Sequence, residues 1–512
     1  MFQDLNWRLV AAAAVHCFLA ESTDYCMTAV NVPENIIKKF ISDAILKSYG
    51  KILNDFQLKW LWSTVAAAPT IGALVGSFLL GYLSQQYGRR DTVMIWNNLI
   101  LLFASALQII SKPANSVELL IAGRFLSGVC VGICCLVPVF LAECSPDSCR
   151  GLVSSSTSMG RALWDLLGPV LGLTRLGTEE YWPYLLSVPV IPGFLHMCLA
   201  FLFPKSPKCI LHKKLKLYLL CALFITVRYL FIHLRNREKA IKSIRFYHGS
   251  NADVTEILNE FEREAALTVK EDGELVDLKT IFKTRHLLWP LVVVVVASVA
   301  SDLGGSDITA QYSTELLQKV GMTGYQAKIG TIYTMIPPVV LSIFAPFWIE
   351  YAGRRKITLF GLASGILAIF LLFAASFVEV SSTRNGLALA GVALSYFGMY
   401  SGAGVIPALL PGEIAPEQSR STTAAFGVFF SWFPSAIILL VFPVVNRAIG
   451  KYSYLPFIIL SLIAFLFLFK FMPETKNKTV DEIVSEWLKK DSTRKCTLVD
   501  EREPLLFGGH SQ

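Results

Sequence analysis

Residues 86–90 read Gln-Tyr-Gly-Arg-Arg, and residues 349–355 read Ile-Glu-Tyr-Ala-Gly-Arg-Arg. Two further polar motifs also occur twice in the same order, at residues 142–150 and 412–420 and at residues 204–206 and 473–475. Each copy borders a long apolar run, and the two copies of every motif lie about 265–270 residues apart. This pattern predicts a chain built from two parallel membrane-embedded halves.

The composition supports a membrane protein. The 512 residues are 54% hydrophobic and 16% charged, which is too apolar for a soluble chain of this length. The net charge of +8 comes from basic residues in short loops between apolar runs, so it indicates membrane orientation rather than binding to nucleic acid. The eleven cysteines lack metal-ligand spacing, and several are expected to be packing residues. We expect no metal, no cofactor and no cleavable signal peptide.

Twelve apolar segments of about 20 residues, the length that a bilayer requires, follow one another along the chain. We number them spans 1 to 12, at 9–30, 60–83, 92–111, 117–142, 152–174, 182–203, 287–311, 326–349, 357–379, 385–410, 422–446 and 452–471. The predicted fold is an all-α membrane protein with twelve transmembrane helices in two six-helix halves. The predicted units are a first half (1–203), a central loop (204–286), a second half (287–471) and a tail (472–512).

The basic loops predict the orientation. With both termini in the cytoplasm, the central loop and the tail are cytoplasmic as well. The same arrangement places the basic motif residues on that side, namely Arg89, Arg90, Arg150, Arg354, Arg355, Lys356 and Arg420.

Residues 217–234 form an unexpected apolar stretch inside the central loop. If this stretch crossed the membrane, every later loop would change sides, and Arg228 would lie in the bilayer. An interfacial helix flanked by lysine and arginine is the preferred interpretation. The alternative interpretation is that gene prediction wrongly included a segment near 211–235.

Several motifs together resemble one known family. They include GRFLSGVCVG at 123–132, PVFLAECSPDSCRG at 138–151, PGEIAPEQSR at 411–420 and PETKNKTVDEI at 473–483. The chain resembles the sugar porters of the major facilitator superfamily, and the run WSTVAAAPTIGALVGSF at 62–78 narrows the resemblance to animal facilitative glucose transporters. The similarity covers residues 8–483, apart from about 25 residues near 211–235.

The resemblance implies a gate at the cytoplasmic ends of the spans, built from ion pairs that break and reform during transport. The residues carried over are Arg89, Arg90, Glu143, Arg150, Glu350, Arg354, Arg355, Glu413 and Arg420. The alternative is that these charges only orient the protein. Lys205 stands where the family has Glu, and Gln85 and Gln86 also depart from its pattern. We therefore expect a thinner network in the first half.

The resemblance also implies a central cavity lined by amides and tryptophans, and most of those residues are absent. Ser158 takes a usual Gln position, Ser301 and Asp302 take a pair of Gln, and Asp307 takes an Asn. Further departures are Tyr400, Ala408, Ser431 and Ser435, and the one residue that matches the family is Trp432. The predicted substrate-binding residues are Ser158, Arg161, Asp165, Ser301, Asp302, Asp307, Tyr400, Ser431 and Trp432.

Charged residues accompany these losses in span 5. Arg161 and Asp165 lie about 16–23 Å in from Arg150, near the middle of a bilayer, and share a helical face with Ser158. Either Arg161 pairs with Asp165 one turn away and the site stays neutral, or Arg161 helps to form a site for a polar or charged solute. In the second case, its partners are Asp302 or Asp307.

The mode of transport is also open. Proton-linked members of the family carry an Asp in span 1 where this chain has Cys26, so uniport is favoured. Glu21, Asp24 and Asp302 keep proton coupling as an alternative.

The tail contains Glu501 four residues before the pair Leu505-Leu506. This arrangement resembles the acidic dileucine signal that clathrin adaptors read for endosomal or lysosomal sorting. The plasma membrane is the favoured location, with endosome or lysosome as the alternative.

Three functions fit the sequence. The favoured one is facilitative movement of a hexose such as glucose or fructose by alternating access. The others are carriage of a charged or non-hexose organic solute, and a sensor that binds solute without transporting it. An enzyme is not expected, because we find no phosphate-cradling loop, metal-ligand cluster or nucleophile arrangement.

Overall fold

The computed structural model describes residues 6–146, 149–205, 227–249, 278–404 and 406–476, with isolated positions between 254 and 258 and between 478 and 485. All regular structure in these ranges is helical, which confirms the predicted class. The first half contains span 1 (Trp7–Val15, His16–Ala20, Glu21–Asp24 and Tyr25–Thr28), span 2 (Asp55–Tyr87), span 3 (Arg89–Asp91, Thr92–Trp96 and Asn97–Ser111), span 4 (Val117–Cys134 and Leu136–Cys144), span 5 (Arg150–Ser155 and Thr157–Gly172) and span 6 (Trp182–Leu186 and Val190–Leu199). The second half contains span 7 (Arg285–Leu303 and Ser306–Lys319), span 8 (Gly324–Ala352), span 9 (Arg354–Ala375), span 10 (Ser381–Gly398, Met399–Ala403 and Ile406–Ile414), span 11 (Glu417–Ile449) and span 12 (Leu455–Phe471).

Two of the twelve predicted spans differ from simple membrane helices. Ten helical stretches in the described ranges are long and apolar enough to cross a membrane, and spans 1 and 5 are not among them. Span 1 changes helix type at His16 and again at Glu21. Span 5 is interrupted at Ser156 and carries Arg161 and Asp165. Broken and polar helices in a membrane protein are tolerated where they are buried in protein or line a cavity.

The repeated glycine-arginine motif has the same backbone in both halves. Gly88 ends span 2 with φ 89° and ψ 159°, and Gly353 ends span 8 with φ 89° and ψ 157°. A side chain is strained at this φ, and a Cβ at Gly353 would lie 2.6 Å from Glu474 Oε2. The repeated sequence motif therefore adopts the same backbone conformation in both halves.

The two ends of the bundle are packed differently. We call the end with Arg89 and Arg354 the arginine end, and the opposite end, with the helix Glu34–Tyr49, the far end. At the far end both halves share one hydrophobic core, in which Tyr25 and Trp62 lie together with Tyr312. At the arginine end each half has a core of its own. The halves are therefore joined at the far end.

The described helix of the central loop, Val227–His248, packs against the arginine end of the first half. It is fixed there by the Tyr247 hydroxyl, which donates to Pro204 O at 2.8 Å, and by Ser243 Oγ, which donates to Lys205 O at 2.7 Å. The first part of the unexpected apolar stretch, residues 217–226, lies outside the described residues. Its last part, residues 227–234, belongs to this helix.

Candidate functional site

Spans 1 and 5 touch through their backbones near the middle of the bundle. A Cβ at Gly160 would lie only 1.8 Å from the Cys17 carbonyl oxygen, so no larger residue fits there. The contact falls where span 1 leaves regular α-helical geometry. As a result, the next residue, Arg161, is pressed against the irregular part of span 1.

Arg161 is held by two acids of span 1. Its Nε donates to Asp24 Oδ2 at 3.1 Å, and its Nη2 lies 3.5 Å from Glu21 Oε2. Glu21 is 0% exposed and Asp24 is 4% exposed. The sequence left two alternatives for Arg161, pairing with Asp165 or with Asp302 or Asp307. Among the described residues, the guanidinium instead takes its ion-pair partners from span 1. Two carboxylates share one guanidinium, which leaves an excess of acid in a buried position.

Asp165 forms a hydrogen bond that links the two halves. Its side chain accepts a hydrogen bond from the Tyr400 hydroxyl of span 10. Its main-chain oxygen accepts from Thr28 Oγ1 at 2.8 Å, which ties span 5 to the end of span 1. Span 5 therefore connects the acids of span 1 to the second half.

Asp302 and Asp307 flank the break of span 7 at Gly304 and Gly305, and both are half-buried. Asp302 Oδ2 is buried, and it has no hydrogen-bond partner among the described residues. Within the same part of the chain, the ion pairs of Arg161 are with Glu21 and Asp24 and not with these two acids. Both halves therefore contribute acids near the centre of the bundle, whereas Arg161 belongs to the first half.

The predicted cavity serines are satisfied by their own helices. Ser158 Oγ donates to Ser155 O at 2.8 Å, and Ser301 and Ser431 donate in the same way to carbonyls four residues earlier, at 3.0 and 2.9 Å. A hydroxyl bonded in this way still has lone pairs to accept a hydrogen bond from a ligand.

Trp432 of span 11 reaches across to the first half. Its ring packs against a small cluster formed by Cys26, Ala73 and Val131. Trp432 and the Asp165–Tyr400 hydrogen bond are therefore two cross-half contacts that involve predicted site residues.

Arg124 is a buried charged residue that the sequence analysis did not single out. Its Nε donates to Val65 O at 2.9 Å and its Nη1 donates to Cys26 O at 2.9 Å. The arginine within the apolar run GRFLSGVCVG was the available signal. It ties spans 1, 2 and 4 together through backbone carbonyls and so helps to hold the irregular span 1 in place.

The arginine end carries an equivalent ion pair in each half. Arg89 Nη2 lies 2.7 Å from Glu143 Oε1, and Arg354 Nε lies 3.0 Å from Glu413 Oε1. Arg355 Nη2 donates to Phe469 O at 2.6 Å. In the first half, Arg90 Nη1 donates to Phe203 O at 2.7 Å. The side chains of the three remaining predicted gate residues, Arg150, Glu350 and Arg420, lie outside the described residues.

Lys205, which stands where the family has Glu, has an acidic partner among the described residues. It forms an ion pair with Asp91, and Arg90 Nη2 lies 2.6 Å from the other oxygen of the same carboxylate. In the second half, Glu474 accepts from the backbone N–H of Arg354 at 2.9 Å. The first half therefore has Lys205 at the position that corresponds to Glu474 in the second half, and Asp91 is the acidic partner of Lys205.

Replacing Lys205 with Glu, which restores the charge usual in the family, should weaken the first half, because the new carboxylate would face Asp91. Both side chains are partly exposed, so the expected loss is at most about 1 kcal/mol of unfolding free energy. The variant Lys205→Gln, which removes the positive charge without adding a carboxylate and leaves the Arg90–Asp91 pair in place, should lose less. Thermal unfolding of the three purified proteins measures it, and equal melting temperatures for the wild type and K205E would contradict the pairing.

Comparison with known proteins agrees with this architecture. The sequence matches the family described as "Sugar (and other) transporter" over residues 10–217 and 209–487. It is 29% identical to "Solute carrier family 2, facilitated glucose transporter member 5" of Equus caballus, over 90% of this chain and 87% of the relative. The protein of the same name from Rattus norvegicus is 27% identical, over 96% of this chain and 94% of its own length.

Solved structures show the same fold at low identity. The proton:xylose symporter XylE bound to 6-bromo-6-deoxy-D-glucose has a TM-score of 0.73 and is 19% identical, over 94% of this chain and 99% of that chain. The inward-open conformation of XylE from E. coli has a TM-score of 0.70, with the same identity, over 93% and 99% of the two chains.

Two six-helix halves around a polar centre define a transporter of the major facilitator fold. Within that class, the chain belongs to the sugar (and other) transporter family, so the predicted resemblance to glucose transporter-like sugar porters is confirmed. It is a multi-pass integral membrane protein.

Proposed function

We propose that this protein carries a hexose such as glucose or fructose across a membrane as a uniporter, by alternating access. The observation that carries the alternating-access part of the proposal is the shared core at the far end, set against separate cores at the arginine end. Such an arrangement suits a carrier that is closed at one end and rocks about a central polar site.

The comparisons support the substrate class. The relatives at 27–29% identity are named facilitated glucose transporters, and one solved neighbour is bound to a glucose derivative. Cys26 supports uniport, because it cannot supply the carboxylate that proton-linked members of the family have at this position. The proposed binding residues remain the nine predicted from the sequence, and Glu21 and Asp24 set the position of Arg161.

The gate role of the arginine end is part of the proposal. The paired Arg89–Glu143 and Arg354–Glu413 contacts lie within their own halves and reach solvent in part, so water can replace them when they break during the cycle. The positive charge at this end supports a cytoplasmic location for it, and hence for both termini.

A second candidate is a carrier of a charged or otherwise non-hexose organic solute. Its support is the number of acids around the centre: Glu21, Asp24, Asp165, Asp302 and Asp307, against Arg161 as their ion-pairing base. A solute with a positive charge would balance that excess. A non-transporting sensor is the remaining alternative, and flux measurements exclude it directly.

Uptake into cells that lack hexose carriers tests the choice. The tail pair Leu505 and Leu506, which lies outside the described residues, should be changed to Ala so that adaptor-driven sorting to endosomes does not hide the protein. Saturable uptake of labelled glucose or fructose supports the first proposal. Surface protein that takes up only organic ions supports the second. Surface protein without any flux points to the sensor.

A further inference from the structure

A cluster of four charged residues lies at the far end, away from the central site. Lys38, on the helix Glu34–Tyr49, forms an ion pair with Glu34 one turn earlier, and its Nζ lies 3.7 Å from Glu315 Oε2 of span 7. Glu315 Oε1 in turn lies 2.8 Å from Lys319 Nζ. The cluster therefore connects the first half to the second through charge.

Three of the four side chains are largely removed from water, and Lys319 is 45% exposed. The Glu34 side chain is 7% exposed and the Lys38 side chain is 20% exposed, and Lys38 Nζ lies 5.3 Å from the centre of the Trp62 ring. The same helix carries a second ion pair, Lys39 to Glu179, whose side chains are 60% and 68% exposed. That pair joins two elements of the first half, so it offers a matched comparison that does not bridge the halves.

Burial and charge act in opposite directions on Glu34. Burial, followed by the negative charge of Glu315, raises the pKa of Glu34 from 4.5 to about 7, although Lys38 opposes the shift. The groups that face Glu34 are Lys38 on its own helix, Glu315 on span 7 with Lys319 behind it, and the Tyr312 hydroxyl. That hydroxyl is engaged with Leu439 O at 3.2 Å.

We propose that Glu34 is a proton-binding site in a latch, formed with Lys38 and Glu315, that holds the two halves together at the far end. Opening this end separates span 7 from the helix Glu34–Tyr49 and lets water reach Glu34. The carboxyl then returns toward its ordinary proton affinity. The proton is thus bound more tightly in the closed arrangement than in the open one. This inference rests on the proposed alternating access, and it is independent of which solute is carried.

The sign of the effect follows by linkage. Because the pKa of Glu34 is higher in the closed arrangement, the added stability of closure is fully present below about pH 4.5 and is lost as the pH rises through about 7. With these two pKa values, the ratio of closed to open molecules falls about tenfold between roughly pH 6 and pH 8. Acid therefore holds the far end shut.

A distance measurement tests the latch without reference to flux. Spin labels would be attached through a keto amino acid at Ile52 and Tyr325, exposed positions on the two halves at the far end, so that the native cysteines stay unlabelled. The distance distribution of the full chain in lipid nanodiscs would be recorded at about pH 6 and pH 8. We expect the short-distance population to dominate at the lower pH and the closed-to-open ratio to fall about tenfold at the higher pH.

Three variants decide the interpretation. Glu34→Gln, which mimics the protonated acid, should give a ratio that no longer changes with pH and stays near the acidic value of the wild type. Glu315→Gln should open the far end at both pH values, because the cross-half ion pair is lost. Glu179→Gln should behave as the wild type does. A pH response that persists unchanged in E34Q, or no response in the wild type, overturns the proposal. A response without any hexose flux would leave the latch standing and reject the proposed substrate.

Discussion

Changing Arg161 to Ala should lower the transport rate of every substrate that the wild type carries by roughly a hundredfold. The substitution removes the base that holds Glu21 and Asp24 and leaves two buried acids without a partner. Breaking a buried ion pair in this way costs about 3–5 kcal/mol. A loss of about 3 kcal/mol, expressed at the step in which the site forms, corresponds to a roughly hundredfold lower rate.

Two controls distinguish loss of the binding site from loss of the folded structure. Arg175→Ala removes an exposed arginine just beyond the same span and should leave transport unchanged. The triple variant Arg161→Gln with Glu21→Gln and Asp24→Asn removes all three charges together, so it should recover thermal stability without recovering flux. Normal uptake of all tested solutes by R161A would contradict the role given to Arg161.

Changing Gly160 to Val should prevent assembly of the first half. The first added carbon would lie 1.8 Å from the Cys17 carbonyl oxygen, and backbone atoms cannot give way as a flexible side chain can. Spans 1 and 5 would be forced apart, and Arg161 would lose its contact with span 1. We expect a destabilisation above about 4 kcal/mol, seen as little folded protein in detergent by size-exclusion chromatography.

The matched control for this variant is Gly81→Ala in span 2. No atom lies within 4 Å of a Cβ at that position, and the residue is helical. Ala is favoured over Gly in a helix by about 1 kcal/mol in water, so this change should be neutral or slightly stabilising. Equal yields of folded G160V and G81A would show that the two spans are not in backbone contact.

The fold was largely predictable because its signals repeat. Gly88 and Gly353 occur in equivalent motifs, and they have the same backbone conformation in the two halves. The apolar runs gave the number and order of the spans. The irregular geometry of spans 1 and 5 was not predictable in the same way, because it depends on contacts between them and not on local propensity. The close approach at Gly160 is the main example.

The sequence predicted which residues lie at the site better than it predicted which of them form ion pairs and hydrogen bonds with each other. The sequence identified Arg161 as a charged residue near mid-membrane, and helical spacing offered Asp165 as its neighbour. The structure pairs Arg161 with Asp24, which is 137 residues away, and gives Asp165 to Tyr400. Spacing along one helix cannot rank such long-range partners. The same limit applies to Lys205, whose partner Asp91 lies 114 residues earlier.

Flux through the purified full-length protein in liposomes tests the central claim most directly. Labelled glucose and fructose would be offered with and without an imposed proton gradient, and R161A would be measured alongside. Facilitative hexose transport predicts saturable entry that stops at equal concentrations inside and outside, whatever the gradient, and that is greatly slowed in R161A. Accumulation of sugar driven by the proton gradient would contradict uniport. The absence of hexose entry, with flux of an organic ion instead, would contradict the substrate.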